Sequence, residues 1–181
     1  MSFTDADLIA RVLSHEDHNA FSELVRRYQS PVRGFLSRMA HGDRHMADEL
    51  AQETFLKAWQ KLYAFRGESR FSTWLFGIAL NEFRNECRRN KRFAWEESTP
   101  DAEEAAAAKD THLCMDLTDA MKLLNAAERA AIVLCCQNGL SHKEAAAMLE
   151  CPLGTVKTNI LRGKEKLKRR LGLAYHNYEH A

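Results

Sequence analysis

The side chains of this 181-residue sequence best suited to ligating a metal or attacking an electrophile are eight histidines and five cysteines. Their spacing favours neither chemistry. His15/His18 and His41/His45 stand as isolated pairs, and a single residue separates His112 from Cys114. No second pair follows at the spacing that a tetrahedral zinc site uses. Cys87, Cys114, Cys135, Cys136 and Cys151 form no CxxC motif. Their odd number points to reduced thiols, most of them small buried apolar residues, and away from a disulfide framework. Neither a nucleophile–base motif nor a phosphate-cradling glycine loop is visible, so an enzymatic reading has little support and no cofactor is expected.

The residues that do form a pattern are cations. Between positions 152 and 170 stand Lys157, Arg162, Lys164, Lys166, Lys168, Arg169 and Arg170 against one acid, Glu165, a net charge of +6. Such a surface is suited to neutralising phosphates.

The segment that must position these cations is residues 139–170, GLSHKEAAAMLECPLGTVKTNILRGKEKLKRR. Gly139 predicts the end of a helix. Ser141 and Glu144 have the spacing of a capping box and predict the start of a short helix packed through Ala145, Ala146 and Leu149. The run 151–154 (CPLG) predicts a turn, and Thr155-Val156 open the regular part of a second helix, with Val156, Ile160 and Leu167 facing a core. A short helix, a turn and a basic helix form a helix-turn-helix, whose second helix enters the DNA major groove by its N-terminal half.

The formal net charge of the whole chain is only +1, but the charge is unevenly spread. Residues 1–64 carry −1, 65–92 carry +4, 93–121 carry −7, and 122–181 carry +5. Two basic surfaces are thus separated by an acidic stretch. That stretch contains Pro100 and few large apolar residues, which predicts a flexible linker. The expected organisation is a domain over 1–92, an acidic linker over 93–116 and a second domain over 117–175. No internal repeat is apparent.

Hydrophobic residues make up 45% of the chain and charged residues 28%, ordinary values for a soluble globular protein. Phe21, Leu24, Val25, Tyr28, Val32, Phe35, Leu36 and Met39 recur at helical spacing, with a kink or break expected at Pro31. A second helix is expected after Asp48, with Leu50, Ala51, Thr54, Phe55, Ala58 and Leu62 on one side. A third is expected from Ser72 or Thr73 toward Arg92, with Trp74 and Phe76 in the core. Leu117, Ala120, Met121 and Leu124, then residues 132–136, suggest two more. No strand alternation competes, so the predicted fold is all-α in two small helical domains. No apolar run reaches the length of a spanning helix. The first residues lack the basic and apolar regions of a secretion signal, and a cytoplasmic protein is expected.

Residues 47–89, ADELAQETFLKAWQKLYAFRGESRFSTWLFGIALNEFRNECRR, closely resemble the second region of extracytoplasmic-function sigma factors of the sigma-70 family. Residues 116–171, including Gly154-Thr155-Val156-Lys157 and Arg162, resemble that family's fourth region. The resemblance implies a factor that binds core RNA polymerase through the beta-prime clamp helices and the beta flap, recognises promoter DNA and promotes strand opening. Carried across position by position, it places Asp48, Glu49, Leu50, Gln52, Glu53 and Phe55 at or behind the polymerase surface. Phe65, Arg66, Gly67, Glu68 and Ser69 match the loop that captures a flipped base of the minus-ten element, and Asn81, Asn85 and Arg88 match helix positions facing the same element. Thr155, Lys157, Thr158, Leu161, Arg162, Lys164, Lys166 and Lys168 match the helix facing the minus-thirty-five element, the last three passing the phosphates. Two positions depart from the family pattern: Gly77 stands where many members carry arginine, and Gly163 where alanine is common. An anti-sigma factor is a further implied partner, and the acidic linker is implied to enter the polymerase channels that later carry RNA.

Two other readings remain open from the sequence. A sigma-like decoy would occupy an anti-sigma factor without reading DNA, and the retained 65–71 loop argues against it. A helix-turn-helix repressor would need no polymerase-binding helix and would usually dimerise, yet no heptad seam is apparent.

Overall fold

A computed structural model describes residues 3–90 and 117–176. All regular structure among them is helical, and the chain divides into two compact units, Met1–Arg92 and Phe93–Ala181. The acidic stretch and the pair His112/Cys114 lie outside the described residues.

Four helices build the first unit: α1 (Asp5–His15), α2 (His18–Met39), α3 (Arg44–Lys61) and α4 (Phe71–Asn90), with a 3₁₀ turn, Leu62–Ala64, after α3. Helix α1 was not anticipated from hydrophobic spacing, although its start is written in the sequence. Thr4 accepts from the Asp7 N–H at 3.2 Å, and Asp7 accepts from the Thr4 N–H at 2.9 Å. This capping box satisfies two otherwise orphaned donors. Arg27 then ties α1 to α2, donating to Asp5 at 2.8 Å and to the Phe3 carbonyl at 2.7 Å.

Helix α2 runs through Pro31 without ending there, which corrects the expected break. Pro31 is exposed while Ala20 and Leu24 before it and Val32, Phe35 and Leu36 after it are buried, so packing on either side of it holds the helix together. Helix α3 begins at Arg44, earlier than expected, because Asp43 caps it by accepting from the Met46 N–H at 3.0 Å. Its buried face is Ala47, Leu50, Ala51, Thr54 and Ala58, and Phe55 is only half-buried. Helix α4 begins at Phe71, where the Arg70 carbonyl accepts from Trp74 N–H at 3.2 Å. Ser72 and Thr73 therefore lie inside its first turn and do not cap it. Phe76 is buried as expected and Trp74 is half-buried.

The second unit comprises α5 (Leu117–Met121), α6 (Ala126–Ile132) continued by a π turn over Val133–Gln137, α7 (His142–Leu149) and α8 (Leu153–His176). Gly139 takes φ +67°, a left-handed conformation that suits glycine and turns the chain into the next helix. Ser141 and Glu144 form the capping box read from the sequence, with bonds of 2.7 and 3.2 Å. The turn differs in detail. Glu150 takes the left-handed cap at φ 55°, and the Pro152 carbonyl already accepts from the N–H groups of Thr155 and Val156. Gly154 consequently belongs to α8.

The cysteines depart from expectation. Cys87 is buried, Cys135 and Cys151 are half-buried, and Cys136 is exposed. Burial pushes the Cys135 thiol up to about 11, which keeps it protonated at neutral pH.

Candidate functional site

In the first unit, α3 and α4 form the walls of an open groove with a volume of about 960 Å³. Glu49, Leu50, Gln52 and Glu53 line the α3 wall, and Asn85, Glu86 and Arg89 line the α4 wall. Gln52 is exposed, Leu50 is buried at the base, and Leu56 is 53% exposed on the same rim. An apolar floor with amide and carboxylate groups around it matches the anatomy of a protein-binding surface. Lys57 donates to the buried Glu82 across the groove and lies 3.4 Å from Glu53. The Glu82 hydrogen bond raises the Lys57 pKa, keeping that cation charged.

The structure splits the six residues assigned to the polymerase surface. Asp48 accepts from Arg33 of α2 at 2.6 Å, a pairing that holds its carboxyl below the usual carboxylate range. Asp48 therefore faces α2, and neither it nor Phe55 lines the α3–α4 groove. Conversely, Asn85, read from the sequence as a DNA-facing residue, lines that groove beside Gln52 and Glu53. Leu56 on the rim and Glu86 and Arg89 of α4, which the sequence reading did not single out, line the same groove. An apolar residue among polar neighbours at the outward α3 register was the available signal for Leu56.

The loop over residues 65–70 joins the 3₁₀ turn to α4. Phe65 is half-buried and its ring packs against Phe71 at 5.7 Å and Trp74 at 5.4 Å between centroids. Phe71 in turn meets Tyr28 edge-on at 5.4 Å, and the Tyr28 hydroxyl donates to Asp5. This aromatic cluster clamps both stems of the loop and leaves Arg66, Gly67, Glu68 and Ser69 exposed between them. Gly67 takes φ +73°, so any Cβ there would be strained. Asn81, Asn85 and Arg88 follow on one exposed stripe of α4, with Arg88 donating to Asn85 at 3.5 Å. Gly77 is half-buried on the same helix.

In the second unit, Val156 and Ile160 bury the inner face of α8. Helical periodicity then turns Thr158, Leu161 and Arg162 directly outward, with Lys157, Lys164 and Lys168 along one flank and Thr155 with Lys166 along the other. All eight are exposed, Leu161 to 61%. Lys166 differs from the rest, because its ammonium bonds the buried Glu128 of α6 at 2.9 Å. Glu128 also caps α6, accepting from the Asn125 N–H at 3.1 Å. Gly163 explains how these helices meet. A Cβ at that position would stand 2.5 Å from Ile132 Cδ1 and 3.5 Å from Glu128 Cβ. Gly163 lies inside the unbroken α8 and, lacking a Cβ, lets that helix pack closely on α6.

Among the described residues, no group of three His, Cys, Asp or Glu side chains converges at metal-binding geometry, and no helix is long and apolar enough to cross a membrane.

Comparison with known proteins accords with this arrangement. Residues 24–93 match the family model Sigma-70 region 2, and residues 114–167 match Sigma-70, region 4. The chain is 33% identical to the RNA polymerase sigma-H factor of Pseudomonas aeruginosa, covering 92% of this chain and 93% of that protein. It is 34% identical to the ECF RNA polymerase sigma-E factor of Haemophilus influenzae, covering 93% and 95%. Among solved structures it resembles the sigma factor RpoE of Bartonella quintana in complex with the anti-sigma factor NepR, with a TM-score of 0.68 and 28% identity over 84% of this chain and 96% of that one. It also resembles CnrH in complex with the cytosolic domain of CnrY, with a TM-score of 0.65 and 26% identity over 93% and 97%.

Two helical modules, one presenting a polar groove and a glycine-bearing loop and the other a basic helix-turn-helix, define a two-region transcription initiation factor. The chain belongs to the sigma-70 family, within its extracytoplasmic-function group.

Proposed function

We propose that the first unit binds core RNA polymerase through Glu49, Leu50, Gln52 and Glu53 of the α3–α4 groove, and that the 65–70 loop with Asn81, Asn85 and Arg88 engages the opened minus-ten element. The observation carrying this reading is the clamped loop. An aromatic cluster fixes its two stems, while residues 66–69 offer exposed backbone and side-chain groups to an unstacked base. Capturing a base needs such groups and no catalytic ones. Asp48 and Phe55 support the groove from the α2 side of the same helix.

The second unit reads the minus-thirty-five element through Lys157, Thr158, Leu161 and Arg162. Lys164 and Lys168 hold phosphates beyond them, and Thr155 stands at the helix entry. The domain limits 1–92 and 117–175 with a linker over 93–116 follow from this division. The protein acts in the cytoplasm, performs no covalent chemistry, and is restrained by an anti-sigma factor, a reading supported by its likeness to the Bartonella quintana sigma factor RpoE, solved in complex with the anti-sigma factor NepR.

The testing experiment is reconstitution. Purified chain added to core RNA polymerase should direct initiation from promoters mapped after its overexpression, with permanganate-reactive thymines near the start site. A decoy would leave core polymerase silent, and a repressor would bind the same DNA without polymerase.

A further inference from the structure

Resting on the reading of the 65–70 loop as the element that meets opened DNA, we propose that Tyr63 is a stacking surface for an unpaired promoter base next to that loop. Tyr63 is 79% exposed, more than any other large apolar side chain among the described residues. Single exposed hydrophobes are common and need no explanation by themselves. This one is held in an unusual setting. Its 3₁₀ turn is anchored by Leu62, 1% exposed, whose carbonyl accepts from the Phe65 N–H at 3.0 Å. The ring therefore projects from a fixed backbone two residues before the loop, with Arg66 and Arg70 exposed farther along.

The other aromatics near the loop are already engaged. Phe65, Phe71 and Trp74 pack on one another at 5.4–5.7 Å between centroids, and Phe71 also receives Tyr28. Tyr63 is the aromatic beside the loop with its ring open to solvent. A base leaving a duplex loses its stacking partners, and an exposed aromatic replaces one whatever the base, because every base has a π face. The neighbouring guanidinium groups supply the phosphate attraction that keeps a single strand over the ring.

The test uses holoenzyme assembled from the full chain and core polymerase, with a fork-junction DNA carrying the minus-ten segment of a mapped promoter already unpaired. Tyr63→Ala should weaken binding to this fork by roughly 5- to 140-fold, the range of one lost base–aromatic stack. Tyr63→Leu should lose about as much, whereas Tyr63→Phe should stay within about twofold of wild type. Binding to a duplex carrying only the upstream element should be equal in all four proteins, which shows that the variants fold and assemble. Fork binding by Tyr63→Ala equal to wild type overturns the proposal alone, and so does full rescue by Tyr63→Leu. A wild-type holoenzyme that does not prefer the fork over the duplex overturns it together with the reading on which it rests.

Discussion

The ammonium group of Lys166 lies 2.9 Å from Glu128, a carboxylate only 3% exposed at the start of α6. This basic residue of the recognition helix is therefore tied to the packing of its own module. Lys166→Ala removes the cation from a buried acceptor, and such losses cost about 1–3 kcal/mol. The expected outcome is faster hydrogen exchange at amides 126–132, with Lys166→Arg restoring much of the protection. Unchanged exchange, with a shallower salt dependence of DNA binding, would return Lys166 to the phosphate contacts.

Gly163 and Ile132 form a coupled pair. Alanine in place of a helical glycine gains about 1 kcal/mol of propensity, but the new methyl meets Ile132 Cδ1 and overpacking costs about 1–3 kcal/mol. Gly163→Ala alone should thus be neutral or destabilising in urea unfolding. Combined with Ile132→Val, which removes that methyl group, it should be more stable than Ile132→Val alone. Simple additivity of the two changes would show that the helices separate freely.

Base reading and phosphate holding separate along α8. Arg162→Ala should reduce use of the cognate promoter and blur its upstream preference, since a good bidentate base contact discriminates by about 1–3 kcal/mol. Lys164→Ala should weaken cognate and scrambled elements alike and lower the log–log salt slope by about one unit. Holoenzyme binding to both DNAs across a salt series checks the pair. Equal weakening of both DNAs by Arg162→Ala would make Arg162 a phosphate anchor.

Gln52→Ala with Glu53→Ala should weaken association with core polymerase at unchanged helical content. Lys57 keeps its bond to Glu82 in this variant, so the α3–α4 packing survives. Core binding indistinguishable from wild type would mean that the groove faces another partner.

Replacing residues 66–69 with glycine and serine, leaving Phe65 in the aromatic cluster, should permit closed complexes and abolish permanganate reactivity. Opening at wild-type levels would remove the loop from the melting step. Including Phe65 in the swap confounds the experiment, because its ring packs on Phe71 and Trp74.

By itself the sequence determined what depends on neighbours along the chain. Helical content, the Ser141–Glu144 cap, the glycine stop at 139 and the basic helix after Pro152 are local patterns of period, capping and charge, and each is legible without coordinates. The starts of α1 and α3 were equally local but signalled by polar caps, Thr4 with Asp7 in a capping box and Asp43 before Arg44, rather than by apolar spacing. What the sequence left open depends on partners far along the chain. Periodicity put Asp48 and Glu53 on one amphipathic helix, but only packing against α2 and α4 gave Asp48 to Arg33 and Glu53 to the groove. The same holds for Asn85 beside Gln52, for Lys166 bound to Glu128 across 38 positions, and for Gly163 as the contact point with Ile132. Charge and residue type state what a side chain can do. Which neighbour it meets is fixed when the apolar faces of distant helices are buried together, and that follows from the whole core at once.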